Sequence, residues 1–370
     1  MAWLYIGFLL FILSLLALDL GVFHRKAHVV RVKEALGWSA IWISLGLLFT
    51  VFIYYGYEHH WFGLGTGVDA MTAQVTGSDG AAYYNDGGTA TIKYLTGFVV
   101  EKSLAVDNIF VIAMVFGVLR VPAMYQHRVL FWGIIGALIM RGLMIAIGAV
   151  LIVKFSWIIY VFGGFLILTG AKMLLVSSEG GDFERNWIVR AARRMIPVTE
   201  RYHGGRFVVR AGSLPSHAGA TPGAAVEVDR VVDKAKRGAL LITPLFLALM
   251  LVEFTDVIFA VDSIPAIFAI TTDPFIVFTS NVFAILGLRS LYFALAGMID
   301  RFRYLKVSLS VVLIVIGVKM MIHTYLKAWL GDHANFYMLG VIAVIIGTGV
   351  VASLATSRRS AKARSLGSMF

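Results

Sequence analysis

Apolar runs of about 20 residues recur along the whole chain, and a helix of that length crosses roughly 30 Å of hydrocarbon. Nine such runs are predicted as membrane spans: 3–23, 36–56, 94–118, 129–152, 155–176, 240–271, 274–297, 305–326 and 336–356. The expected fold class is therefore an all-α membrane protein with about nine transmembrane helices. The run 240–271 is too long for one straight crossing and holds Pro244 and Pro265, which predicts a tilted, kinked or interrupted helix.

The polar segments between the runs set the orientation. Taking alternate loops, one side receives Arg25, Lys26, Arg31 and Lys33, then Arg120 and Arg128, the basic segment 177–239, and then Arg301, Arg303 and Lys306. The tail on that side adds Arg358, Arg359, Lys362 and Arg364, whereas the other side receives only Lys93, Lys154 and Lys327. Basic loops stay in the cytoplasm, so the N-terminus is expected outside and the C-terminus inside. The organisation read along the chain is two N-terminal helices (1–56), an acidic outer loop (57–93) and a first helical unit (94–176). A basic inner loop (177–239), a second helical unit (240–326) and a last helix with a basic tail (327–370) complete it. The outer loop carries Glu58, Asp69, Asp79 and Asp86. In the inner loop, 183–196 reads either as an amphipathic helix on the membrane surface or as a solvated connector, and 211–226 is rich in Gly, Ala, Pro and Ser, as mobile segments are.

Composition agrees with lipid as the solvent. The chain is 59% hydrophobic and 14% charged, whereas soluble domains run near about 25% charged. Its net charge of +11 lies in the loops, so nucleic acid is not an expected partner and membrane lipid is. There is no cysteine, which excludes disulfides and thiolate ligands. The N-terminus lacks a basic stretch and a small-residue cleavage site, and reads as a retained span rather than a signal peptide.

Comparing the chain with itself reveals a repeat. Ala105-Val106-Asp107-Asn108-Ile109 matches Ala260-Val261-Asp262-Ser263-Ile264, and the same register sets Glu101 opposite Asp256. One span later Arg141-Gly142-Leu143 answers Arg289-Ser290-Leu291, and after another Gly170-Ala171-Lys172-Met173 answers Gly317-Val318-Lys319-Met320. Each unit has three spans (3–5 and 6–8), so the second begins on the opposite side of the membrane. Two inverted three-helix repeats are expected, an architecture of secondary transporters whose substrate site lies near the midplane.

The spans contain the acids Asp19, Glu101, Asp107, Glu253, Asp256 and Asp262 and the bases Lys102, Arg141, Lys172, Arg289 and Lys319. A charge at the helix centre costs roughly 2.5–3.5 kcal/mol on translocon scales, so these residues must face the bundle interior and find partners. Glu101 and Asn108 are seven residues apart and share a helix face, as do Asp256 and Ser263, with Glu253 one turn earlier. Asp107 and Asp262 fall about 120° away, so either they serve second partners or the helices unwind there; Pro265 favours unwinding in the second unit. The candidate metal ligands are Glu101, Asp107, Asn108, Asp256, Asp262, Glu253 and Ser263, with Thr255 and Asn281 as further oxygen donors. Asp19, Lys102, Arg141, Lys172, Arg289 and Lys319 are their candidate charge partners. Such hard donors suit Mg, Ca or Mn, and no histidine lies in the core of a span. The competing reading makes the four bases Arg141, Lys172, Arg289 and Lys319 packing salt bridges. Metal-coupled proton exchange fits the excess of one acid, and no phosphate-binding motif Gly-x4-Gly-Lys-Ser/Thr is present, so an ion gradient or the membrane potential is the expected driving force.

Leu18-Asp19-Leu20, the stretch from Glu101 to Asn108, and the string Glu253-Phe254-Thr255-Asp256-Val257-Ile258-Phe259-Ala260-Val261-Asp262-Ser263-Ile264-Pro265 resemble the TerC family of bacterial inner-membrane proteins. That family is associated with tellurium resistance and manganese efflux. The resemblance implies a non-enzymatic exporter of Mn(II) in the inner membrane, with the metal as cargo and no permanently bound cofactor. The alternatives are a transporter of Ca or Mg, or a membrane scaffold whose basic inner loop recruits partners.

Overall fold

The computed structural model describes residues 2–18, 32–72, 74–76, 82–155, 157–175, 198–199, 201–211, 238–295, 303–330 and 334–367. The segment 183–196, read either as a surface helix or as a connector, the stretch 212–226 and Asp19 lie outside them.

The described residues form eleven α-helices: α1 (Ala2–Leu18), α2 (Val32–Glu58), α3 (Gly87–Val118), α4 (Ala123–Lys154), α5 (Ile158–Leu175) and α6 (Pro244–Phe268), then α7 (Pro274–Ile285), α8 (Leu288–Leu295), α9 (Arg303–Met321), α10 (His323–Leu330) and α11 (Ala334–Gly367). Two short antiparallel ribbons join them, β1 (Val75–Thr76) with β2 (Ala82–Tyr83) and β3 (Val208–Arg210) with β4 (Leu240–Ile242). Among the described residues, seven segments are long and apolar enough to cross a membrane, taking Pro274–Leu295 as one. They match seven of the nine expected spans. Of the other two, α1 has 17 described residues, and α3 has 32 but carries Lys93, Glu101, Lys102 and Asp107. Two of these charges, Glu101 and Asp107, line the central cavity.

The ends of these helices follow local chemistry. Asp86 caps α3 by accepting the Thr89 N–H (2.6 Å), so the helix starts about two turns before the apolar run and makes Lys93 a helical residue instead of a loop residue. Thr243 caps α6, and Pro244 follows at the first turn, where its missing N–H is harmless. The long run 240–271 is therefore a strand followed by one helix. The unwinding expected near Pro265 does not occur: α6 continues to Phe268, and a proline in the last turn removes only one intrahelical bond.

The run 274–297 is not one helix. It breaks between α7 and α8 at Gly287 (φ +81°), where a side chain would meet Trp42 Cβ at 2.7 Å. Only glycine meets both the backbone angle and the close approach.

Around α1, the stripe Leu4, Phe8, Ile12 and Leu16 buries against Phe275 and Phe283 of α7. The inner bundle pairs α3 with α7, α4 with α6 and α5 with α9, and α3 also touches α6. The α5–α9 crossing is close because Gly163 faces Gly317; a Cβ on Gly317 would stand 2.7 Å from the Gly163 carbonyl oxygen. Gly317→Leu is expected to destabilise the protein by about 1–3 kcal/mol through overpacking, read as a lowered thermal midpoint in detergent. An unchanged midpoint would contradict this packing. Large apolar side chains on the outer faces, such as Leu168 and Val344, are exposed, as lipid contact requires.

Candidate functional site

Four helices bring a polar cluster to the centre of the bundle. The seven-residue spacing places Glu101 and Asn108 on one face of α3 and Asp256 and Ser263 on one face of α6, and α4 inserts Arg141 between them. All five are buried. Arg141 Nε donates to Asp256 Oδ2 (3.2 Å) and Nη2 to Asp256 Oδ1 (3.0 Å), a two-pronged contact that only a guanidinium makes. Its Nη1 donates to Glu101 Oε1, to Asn281 Oδ1 on α7 (3.1 Å) and, more weakly, to Ser263 Oγ (3.4 Å). Asn108 Nδ2 completes the group on Asp256 Oδ1 (2.8 Å).

Beside this cluster lies a small cavity of about 30 Å³, walled by Glu101, Asp107, Asn108, Arg141, Asp262 and Ser263 and closed by apolar Leu104, Met173, Phe259 and Leu313. Asp107 and Asp262, the acids offset on their helices from the stripe, thus reach the same cavity from opposite units. Asp262 Oδ1 accepts from Thr169 Oγ1 of α5 (3.2 Å), and Lys172 and Lys306 act electrostatically on Asp262 and Asp107 respectively. Two buried acceptors, Glu101 Oε2 and Asn108 Oδ1, find no donor. A buried acceptor without a donor is costly. The wall carries three carboxylates and one guanidinium, a formal charge of 1 − 3 = −2. Water, a proton or a cation relieves both deficits. Among the described residues no group of three or more His, Asp or Glu side chains stands ready to hold a metal ion.

The other sequence candidates go elsewhere. Lys102 Nζ donates to the carbonyls of Ala284 and Leu286 (3.0 and 3.1 Å), capping the C-terminus of α7. Lys319 donates to the Ala269 carbonyl (3.0 Å) and to Asn335 Oδ1 (2.8 Å). Arg289 lies beyond the Gly287 break, in a separate cavity with Trp38, Trp42 and His127. The matched pairs Arg141/Arg289 and Lys172/Lys319 therefore hold different partners. Glu253 packs against Gly136 of α4 and is absent from the cavity wall, and Thr255 Oγ1 donates to its own helix at Val252.

A second charged cluster had no counterpart among the sequence candidates. The segment 69–72 folds onto the turn between α6 and α7, where Asp69 is fully engaged. Its Oδ1 accepts from the Met71 N–H, the Thr272 N–H and Thr272 Oγ1 (3.0, 3.0 and 3.1 Å). Its Oδ2 accepts from Lys93 Nζ (2.7 Å), Asn85 Nδ2 (3.2 Å) and Thr271 Oγ1. Lys93 is wholly buried and donates also to Thr72 and Asn85. The available signals were a lysine at the edge of an apolar run and an Asp-Pro pair at 273–274 opening a helix. Burial alone would raise the Asp69 carboxyl, but the Lys93 ammonium and the donors around it hold it well below the usual carboxylate range. Its stabilisation is thus present above the unfolded value of about 4 and is lost as pH falls towards the folded value. Asp69→Asn is expected to be less stable than the parent at about pH 6 and to show a flatter decline in thermal midpoint below about pH 4. Parallel pH profiles would contradict this.

Apolar outer faces, buried charges and a polar cavity between helices define a multi-span integral membrane protein. The chain belongs to the TerC family of integral membrane proteins, whose profile it matches over residues 86–361, from the start of α3 through most of α11. It is similar to an uncharacterized membrane protein, STKORF319, of Myxococcus xanthus (46% identity over 357 residues, 96% of this chain and 93% of that one). It is also similar to an uncharacterized membrane protein of Rickettsia bellii (37% over 355 residues, 95% and 99%). A relative in Escherichia coli K12 bears the name membrane-bound redox modulator Alx (42% over 317 residues, 85% and 84%). No solved structure matches.

Proposed function

We propose that this TerC-family protein is a secondary transporter that exports a divalent metal, Mn(II), across the bacterial inner membrane. The observation that carries the reading is the cavity where Asp107 and Asp262 meet Glu101, Asn108 and Ser263, with two buried oxygens unsatisfied and a wall charge of −2. Asp256 behind it and Lys172 and Lys306 beside it change that sum to −2 − 1 + 2 = −1, so the site still attracts a cation. All the free donors are hard oxygens, which suit Mn, Mg or Ca. Manganese among these follows from the family resemblance.

Alternating access draws support from the packing. If α3, α4 and α5 correspond to α6, α7–α8 and α9, the contact of α3 with α7 mirrors that of α6 with α4, and α5–α9 maps onto itself. Such an exchange of partners is what a two-fold relation between inverted units requires. The basic loops argue for an outer N-terminus and a cytoplasmic C-terminus. The name of the Escherichia coli relative suggests a redox role. This chain has no cysteine, so a redox effect would run through its cargo and not through thiols of its own.

Titration of the purified protein with Mn(II), following free metal by electron paramagnetic resonance, is expected to show saturable binding that the Asp107→Asn, Asp262→Asn double variant loses. Competition by Ca or Mg assigns the metal. Equal binding by parent and double variant sinks the reading and favours a scaffold with structural charges.

A further inference from the structure

We propose that Asp273, at the outer turn between α6 and α7, is a proton-binding site that couples the transport cycle to protons. Two buried carboxylates, Asp69 and Asp273, share one amide donor: Asn85 Nδ2 reaches Asp69 Oδ2 at 3.2 Å and Asp273 Oδ2 at 3.4 Å. Among the described residues, the cation that forms an ion pair with either of them is Lys93, and it pairs with Asp69. An ionised Asp273 is therefore an uncompensated charge beside another carboxylate, and a bound proton removes that conflict. The Tyr57 hydroxyl of α2, fully buried, lies against the Asp273 carboxyl and favours its anion. It offers a second oxygen next to the carboxyl.

Every element packed on this turn contributes to the balance. From α1, Tyr5 lies within electrostatic reach of Asp273; from α2 comes Tyr57; from the outer segment come Asp69 and Asn85; from α3 comes Lys93. Lys319 of α9 interacts electrostatically with Asp69 and Lys93. Opposing them, Asp273 Oδ1 caps α7 by accepting the N–H groups of Phe275 and Ile276 (3.0 and 3.4 Å), which favours the anion. Burial and the Asp69 charge nonetheless lift the carboxyl above its ordinary value. A group held between such opposing forces can both take up and release a proton.

The site is also placed to act. Asp273 opens α7, and Asn281, eight residues along it and so about 12 Å away, accepts from Arg141 in the central cluster. Charging Asp273 strains the turn and the Asp69 segment laid over it. That strain travels along one rigid helix to the guanidinium between the two units.

Naming the proton as coupling ion rests on the transport reading above; locating the proton on Asp273 does not. Infrared difference spectra of the reconstituted protein across a pH titration are expected to show a protonated-carboxyl band that Asp273→Asn removes. Asparagine keeps the helix cap, so this variant should fold. In Tyr57→Phe the band should persist with its midpoint shifted to higher pH. Manganese flux into vesicles should respond to an imposed proton gradient in the parent and lose that response in Asp273→Asn. A band unchanged in Asp273→Asn overturns the site, and a flux response unchanged in Asp273→Asn overturns the coupling while leaving export intact. Parent vesicles that lose the band with Asp273→Asn yet carry no metal support the proton site and refute the metal cargo.

Discussion

Replacing Arg141 by methionine is expected to destabilise the protein by roughly 3–5 kcal/mol, because it leaves buried carboxylates without their cation. Glu101 and Asp256 are 1% and 4% exposed, so solvent cannot substitute for the guanidinium. Denaturant or thermal unfolding in detergent reads the loss. Arg141→Lys should recover only part of it, since an ammonium cannot engage both oxygens of Asp256 and still reach Glu101 and Asn281. Adding Asp256→Asn to Arg141→Met should restore more stability than Arg141→Lys does. This order separates an electrostatic role from mere bulk, because bulk would rank methionine and lysine alike. An Arg141→Met protein within about 1 kcal/mol of the parent would mean that the cluster is hydrated and not paired as described.

Cells producing Asp107→Asn or Asp262→Asn are expected to retain manganese as if the protein were absent, with export reduced at least tenfold, equivalent to about 1.4 kcal/mol or more in binding. Each substitution removes one of the three carboxylates on the cavity wall while keeping shape and volume. Glu253→Gln, by contrast, should leave export within about twofold, since its carboxyl lies against Gly136 and outside the wall. Thr169→Ala should fall between them, because it removes a hydrogen bond of Asp262 but no charge. Cellular metal content in strains with matched protein levels distinguishes the four. Equal loss in Glu253→Gln and Asp262→Asn would show that the site extends beyond the cavity wall.

The two sets of variants bear on different parts of one cluster. Arg141, Asp256 and Asn281 hold three helices together, whereas Asp107 and Asp262 leave oxygens facing open space. A site that must accept and release a charged ligand needs both: fixed charge to define its geometry and incompletely satisfied charge to attract the ligand.

The periodic apolar runs alone determined that this is a helical, membrane-spanning chain, since lipid requires long apolar segments whose backbone bonds are internal. The repeated acid motifs likewise marked α3 and α6 as the helices that carry chemistry, because a seven-residue spacing fixes which side chains share a face. What spacing cannot encode is which distant partner each charge meets. Arg141 and Arg289 look equivalent in sequence, yet the Gly287 break and the Trp42 contact send Arg289 to a different cavity. Glu253 shares a stripe with Asp256, yet the close approach of Gly136 takes it out of the site. Lys93 and Asp69 are 24 residues apart, with nothing local to link them. Their pairing exists because the segment 69–72 folds onto the α6–α7 turn, where an isolated buried charge would be too costly to leave unmatched. Apolar periodicity and spacing set the solvent, the helices and the faces that bear charge; the partners came from close packing in three dimensions and from the cost of burying any charge alone.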